Sequence, residues 1–363
     1  MLRWLSPVLV VGLLIGVAHA RAGGPRRSTV PARNAAQVVA LVGPALRTSR
    51  SGTFTLSTNL GLGDVAASAS GNQLVSLAGG SNLARVWTDG GTRSRVALLQ
   101  PLQETDWVRT SAGTWVWQSS ATQAAYVQGS SQLNLPALGA ITSLVGETSV
   151  EPPDALASRL LTLSEQSAVS LGPSDYVAGR RTYELVLTPR SHVSLISHVT
   201  IAVDATTGLP LRVAEYVRGQ GSPIVDDQFQ SVSYSEPAAS NFEFRPPPNA
   251  RVLQAPTLRA ALEGPRHHRE RRPQPGENGG GDRPGLGAPT AIRIVGSGWN
   301  EVLVASGVPD FGLGDLFGAS TSVSGAFGHG LLARTSALSV LFLDDGRLAA
   351  GVVTPARLEA ALA

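Results

Sequence analysis

The sequence predicts a mainly β protein with a few short helices, and three observations carry that prediction. Forty glycines and 24 prolines among 363 residues, with abundant Ser, Thr and Val, favour strands and turns over long helices. Apolar residues alternate with polar ones in many short runs, the period of a strand. Only a few stretches show the 3.6-residue period of a helix. Hydrophobic residues make up 42% and charged residues 15%, at a mean hydropathy of +0.07, so the chain has apolar surface enough for a core and is not disordered in bulk.

The elements follow in order. Residues 1–20 read as an export leader: Arg3, an apolar run from Leu5 to Val17, and the small residues of Ala18-His19-Ala20 at the cleavage positions. Cleavage would start the mature chain near Arg21; a retained anchor is the alternative. Ala32 to Thr48 carries Val38, Leu41, Val42 and Leu46 at helical spacing, with Pro44 limiting its length. From Ser51 the period changes to two, with Phe54, Leu56 and Thr58 on one face. Further strands are predicted at 84–88, 93–99, 107–110, 114–119 and 124–128. Pro152-Pro153-Asp154 opens a second helix in which Leu156, Leu160 and Leu163 form one stripe. Strand pattern resumes at 181–187. It then gives a hairpin in which Val199, Ile201 and Val203 lead to Asp204 through Gly208 and on to 209–217. Residues 228–235 supply another strand. Beyond the linker come strand candidates at 300–305, 331–335, 338–343 and 348–353, an Asp344-Asp345-Gly346 turn, and a terminal helix begun by Pro355.

The charge balance of +3 and the pI of about 9.8 do not describe a nucleic-acid surface. Seven arginines precede Asp64, the first acid, and beyond it acids outnumber arginines. A second basic run, Arg266 to Arg272, is set among Pro and Gly as in a solvated linker. With no cysteine there are no disulfides, no thiol chemistry and no lipid-modified cysteine. Nucleophile-elbow, zincin, Walker and EF-hand motifs are absent, and Gly312-Leu313-Gly314 with Gly318 departs from dinucleotide-loop spacing. His192 and His198 would lie about 20 Å apart on a straight strand at ~3.3 Å per residue, too far to share a metal. A binding protein without cofactor or metal is expected rather than an enzyme.

The strand motifs resemble a known family. Leu77-Ala78-Gly79 with Val86-Trp87-Thr88-Asp89-Gly90, Glu104 to Arg109, and Thr114-Trp115-Val116-Trp117 resemble the LolA-like superfamily. So do Val177 to Pro189, Val203 to Val213, and Asn241-Phe242-Glu243-Phe244-Arg245 with Pro246-Pro247-Pro248. The same segments resemble the N-terminal domain of the MucB and RseB anti-sigma-factor regulators. This resemblance covers residues 33–253. It implies an incomplete antiparallel β-barrel with an α lid, enclosing an apolar cavity for acyl chains of lipids or lipoproteins.

On that implication the cavity and lid set is Leu56, Trp87, Trp115, Trp117, Leu156, Leu160, Leu163, Leu185 and Ile201. Plain core packing is the competing reading of each, and a register slip of one residue would turn any strand's set outward. The partners implied are acyl chains of an envelope lipid or lipoprotein; the alternative is a regulator that binds an anti-sigma factor or another membrane protein. Residues 254–291 read as a Pro/Gly/Arg-rich disordered linker. Residues 292–363 are expected to form a separate small β-rich module, with docking onto the barrel as the competing possibility.

Overall fold

The computed structural model describes residues 30–61, 79–128, 150–255, 291–307 and 320–363. The expected leader and residues 256–290 of the expected linker lie outside the described residues. Helix α1 (Ala35–Ala45) starts at a capping box, in which Asn34 and Gln37 each accept from the other's backbone N–H. Then come β1 (Arg50–Asn59), β2 (Gly79–Thr88), β3 (Ser94–Gln100), β4 (Gln103–Arg109), β5 (Gly113–Gln118) and β6 (Gln123–Gln128). Helix α2 (Pro153–Leu161) interrupts the series, with Pro at its first turn. The return comprises β7 (Ser167–Val177), β8 (Arg180–Pro189), β9 (Ile196–Asp204), β10 (Pro210–Val217), β11 (Val225–Ser233) and β12 (Arg251–Ala255).

These twelve strands form one sheet in the order β12-β6-β5-β4-β3-β2-β1-β11-β10-β9-β8-β7. Two meanders therefore leave β1 in opposite directions, and all pairings are antiparallel except β12 with β6. The order is open, ending at β12 and β7. The sheet nevertheless curls, since β7 comes back to approach β11 despite the strands between them. Strand β7 was not foreseen. Its alternation is weak, and Gly172-Pro173 interrupts it beside a bulge, which an edge strand tolerates because one side needs no partner.

The tail builds a six-stranded sheet ordered β13-β14-β18-β17-β16-β15: β13 (Ala291–Val295), β14 (Val302–Ser306), β15 (Ser320–Gly325), β16 (Gly328–Arg334), β17 (Ser339–Leu343) and β18 (Leu348–Gly351). Helix α3 (Pro355–Leu362) covers one face through Val302, Val304, Leu341 and Leu358. The tail sheet packs against the large one. Leu303, Ala305, Leu338, Val340, Ala350 and Val352 belong to the same buried core as Leu160, Leu185 and Ile201 of the large sheet. Polar ties reinforce the join: Leu195 N donates to Val352 O (2.9 Å), Thr354 N to Val193 O (2.8 Å), Thr335 Oγ1 to Leu60 O (2.6 Å) and Trp299 Nε1 to Ser167 Oγ (2.9 Å). The reason is patterning: β14 is apolar on both faces, so α3 can cover only one of them.

Candidate functional site: the inner face of the large sheet

The register sorts the sheet's residues into two faces. Leu185, Ile201, Val213, Asp227 and Leu56 pair in turn across β8, β9, β10, β11 and β1. On the same face of β1 lies Phe54, paired with Phe229 and Ala84. Beyond it the row Val86, Val96, Trp107, Val116, Ala125 continues across β2 to β6. This is the inner face. Helices α1 and α2 lie on it, burying Val38, Val42, Leu156 and Leu160 with Leu185, Ile201 and Val213.

Of the nine residues expected at the cavity and lid, six come together. Leu156, Leu160, Leu163, Leu185 and Ile201 are buried in one cluster, and Leu56 packs half-buried against it. Leu163 lies just beyond the end of α2 but keeps its place in the stripe. The three tryptophans stand on the other face. Trp87 pairs with Arg95 and Trp115 with Val108 and Tyr126, one position out of phase with the inward row. There Trp115 packs on Tyr126 (5.1 Å between centroids) and Phe244 (5.5 Å), Trp117 on Phe244 (6.2 Å), and the Arg95 guanidinium lies 5.4 Å from the Trp87 ring. Phe242 and Phe244 come from the segment after β11, which crosses the outside of β3. Trp107 is the tryptophan that faces inward.

The polar groups of the inner face were missed by sequence reasoning. Arg50, buried at the start of β1, donates through NH1 to Leu46 O (3.1 Å) and Thr48 O (2.8 Å) and through NH2 to the Asp154 carboxylate. One guanidinium thus ties the end of α1 and the start of α2 to the sheet. Arg159 of α2 pairs with Glu151 at 3.1 Å. Burial raises the proton affinity of Asp154, with Arg50 opposing it, and likewise of Glu151, opposed by Arg159. Burial pushes Glu215 up to about 7, again opposed by Arg159. Asp227 is raised well above the usual range, first by burial and then by Asp154, Glu151 and Asp226. Both Asp227 oxygens and Trp107 Nε1 are buried without a hydrogen-bond partner. One signal in the sequence could have revealed Asp227: Val225, Asp227 and Phe229 share a strand face, which sets an acid where the period demands an apolar residue.

Among the described residues no cluster of His, Asp and Glu could hold a metal, and no helix is long and apolar enough to cross a membrane. The arrangement has the chemistry of a binding surface: an apolar face, a cover of two short helices, and a few unsatisfied polar groups.

No protein-family model and no curated protein matches the chain. Among solved structures it is similar to a chain of the Pseudomonas aeruginosa MucA/MucB complex, at 17% identity and a TM-score of 0.46, covering 90% of this chain and 96% of that one. It is also similar to a LolA superfamily protein from Nitrosomonas europaea, at 12% identity and a TM-score of 0.26, covering 59% of this chain and 99% of that one. A DUF1329 family protein from Desulfovibrio piger matches at 12% identity and a TM-score of 0.27, over 59% and 98% of the two chains. The solved structures that this chain resembles thus include the two groups its strand motifs resemble, the LolA superfamily and MucB.

Proposed function

We propose that the chain is an exported envelope protein that binds the acyl chains of a lipid or lipoprotein between the inner face of its large sheet and helices α1 and α2, the helices acting as the lid. The observation that carries this reading is the inner face itself. It is a largely apolar surface from β8 to β6 whose helical cover is tied down by the buried guanidinium of Arg50, and which presents Trp107 Nε1 and Asp227 without partners. A finished core has no use for orphaned polar groups. The strand motifs that resemble the LolA-like superfamily support the same reading. No catalytic step belongs to it, and export rests on the leader at residues 1–20.

Native mass spectrometry of the protein purified from its own host tests the proposal. The expected result is a mature chain starting near Arg21 with an added mass that organic extraction removes and identifies as an acylated molecule. A preparation free of lipid that instead co-purifies with a membrane anti-sigma factor would overturn it in favour of a regulator.

A further inference from the structure

Asp227 is fully buried, and neither of its carboxylate oxygens meets a hydrogen-bond partner. It stands in register between Val213 and Leu56, in the row that also holds Leu185 and Ile201. Its neighbour Asp226 faces outward and is gripped by both Nε (2.7 Å) and NH2 (2.8 Å) of Arg212. The outward aspartate of β11 is therefore met by a cation from β10, and the inward one by none. The charged groups that act on Asp227 are acids: Asp154 of α2, Glu151 just before it, and Asp226 behind it. The terminal nitrogens of the nearby arginines are turned elsewhere, those of Arg50 to Asp154 and to two carbonyls of the α1 exit and NH1 of Arg159 to Glu151, and the buried Nε of each hydrogen-bonds to nothing, Asp227 included.

An ionised carboxylate without a partner in such a place is strongly disfavoured, and burial together with the neighbouring acids holds the proton on Asp227. The protonated carboxyl is a hydrogen-bond donor, and a donor left unmatched in an apolar core is a net cost that leucine, of similar size, would not incur. A carboxylic acid kept neutral by an apolar site is a known way of presenting a donor to a bound carbonyl.

We propose that Asp227 is a ligand-recognition residue: in its protonated form it donates a hydrogen bond to the carbonyl oxygen of the ester or amide that ends the bound acyl chain. This rests on the acyl-binding reading above and adds to it. The inner face then selects acyl groups over plain hydrocarbon, and Asp227 sets how far along the Leu185 to Leu56 row the chain slides.

The test uses the full chain and displacement of diphenylhexatriene, a fluorescent hydrocarbon without polar groups, by methyl palmitate, N-methylpalmitamide and hexadecane. The wild-type protein is expected to prefer at least one carbonyl competitor to hexadecane. Preference for the ester points to a lipid, and preference for the amide to an N-acylated protein. Asp227→Leu should bind the carbonyl competitors about ten-fold more weakly, the scale of one lost buried hydrogen bond. It should bind hexadecane as the wild type does and melt no lower, which shows that the fold is intact. Asp227→Asn, which keeps a donor, should retain the preference. An unchanged preference in Asp227→Leu, or a wild type that treats all three competitors alike, overturns the role of Asp227 while leaving acyl binding standing. A wild type that takes up no diphenylhexatriene overturns both.

Discussion

The two faces of the large sheet are closed in different ways. The outer face is finished by the chain's own aromatic residues, Phe244 between Trp115 and Trp117 and Phe242 beneath Arg93 at 5.0 Å, and by the Arg212–Asp226 ion pair. The inner face is closed by two short helices and, at one end, by the tail sheet, and it retains buried polar atoms without partners. A surface built only for stability satisfies its polar groups. The difference teaches that the tryptophans, though the most conspicuous large residues in the sequence, belong to the outer face, and that the leucines pack on the inner face, where the unpartnered polar groups lie.

The most severe way to break this contrast is to remove the tail. Truncation after Ala255 strips Leu303, Leu338, Val340 and Val352 from the shared core, each such side chain being worth roughly 1.5–3 kcal/mol when fully buried. The fragment is expected to aggregate or to melt without a cooperative transition in size-exclusion and thermal unfolding measurements. A monomeric fragment that melts as sharply as the whole chain would show that the inner face is complete without its second sheet. Next in size is Arg50→Met, which leaves Asp154 buried and uncompensated at a cost of about 3–5 kcal/mol. Hydrogen exchange should rise in α1 and α2 while Trp115 and Trp117 keep their fluorescence; equal loosening of the outer face would erase the distinction. Phe242→Ala probes the opposite face, with an expected loss of about 3 kcal/mol from denaturant melts and no change in acyl-probe binding.

Much of this organisation is legible in the sequence, because burial on one face leaves a period that survives without coordinates. The leucine stripe of α2 shows in spacing alone, whereas alternation offers Leu185 and Ile201 only once a register is chosen, and the structure brings all five together. The tryptophans show where spacing fails. In β5, Thr114, Val116 and Gln118 alternate with Trp115 and Trp117, so aromatic weight points to one face and the actual core to the other, and nothing local decides. The deciding contact is Phe244, more than a hundred residues later in the chain. Asp154 reads from sequence as an ordinary first-turn helix acid; only the fold reveals that Arg50 waits across the sheet. Edge strands such as β7 escape for a third reason, since exposure on both faces removes the alternation that would announce them.

The smallest expected effect is a matter of pH. Asp204, in the β9–β10 turn, is raised by burial but lowered overall by hydrogen bonds from Arg180, the Thr206 amide and Tyr234. A carboxyl whose proton affinity is lowered by folding contributes stability above its unfolded value near 3.8 and loses it as pH falls through the folded value. Glu215, beside α2, behaves oppositely: its value rises from 4.5 to about 7 on folding, so the folded state holds the proton more tightly. Its contribution is present below about pH 4.5 and is lost as pH rises from there to about 7. Wild-type melting temperature should therefore decline gently between pH 5 and 7, and Glu215→Gln, which keeps the neutral shape, should flatten part of that decline. The remainder is shared by Asp154, Glu151, Asp227, Glu184 and Glu104, shifted in the same direction, so the double variant Glu215→Gln, Asp227→Leu should flatten it further. Two variants that keep the full wild-type slope would show that the acids of the inner face are not buried in solution as they are here, and that the face with orphaned polar groups is already open to water.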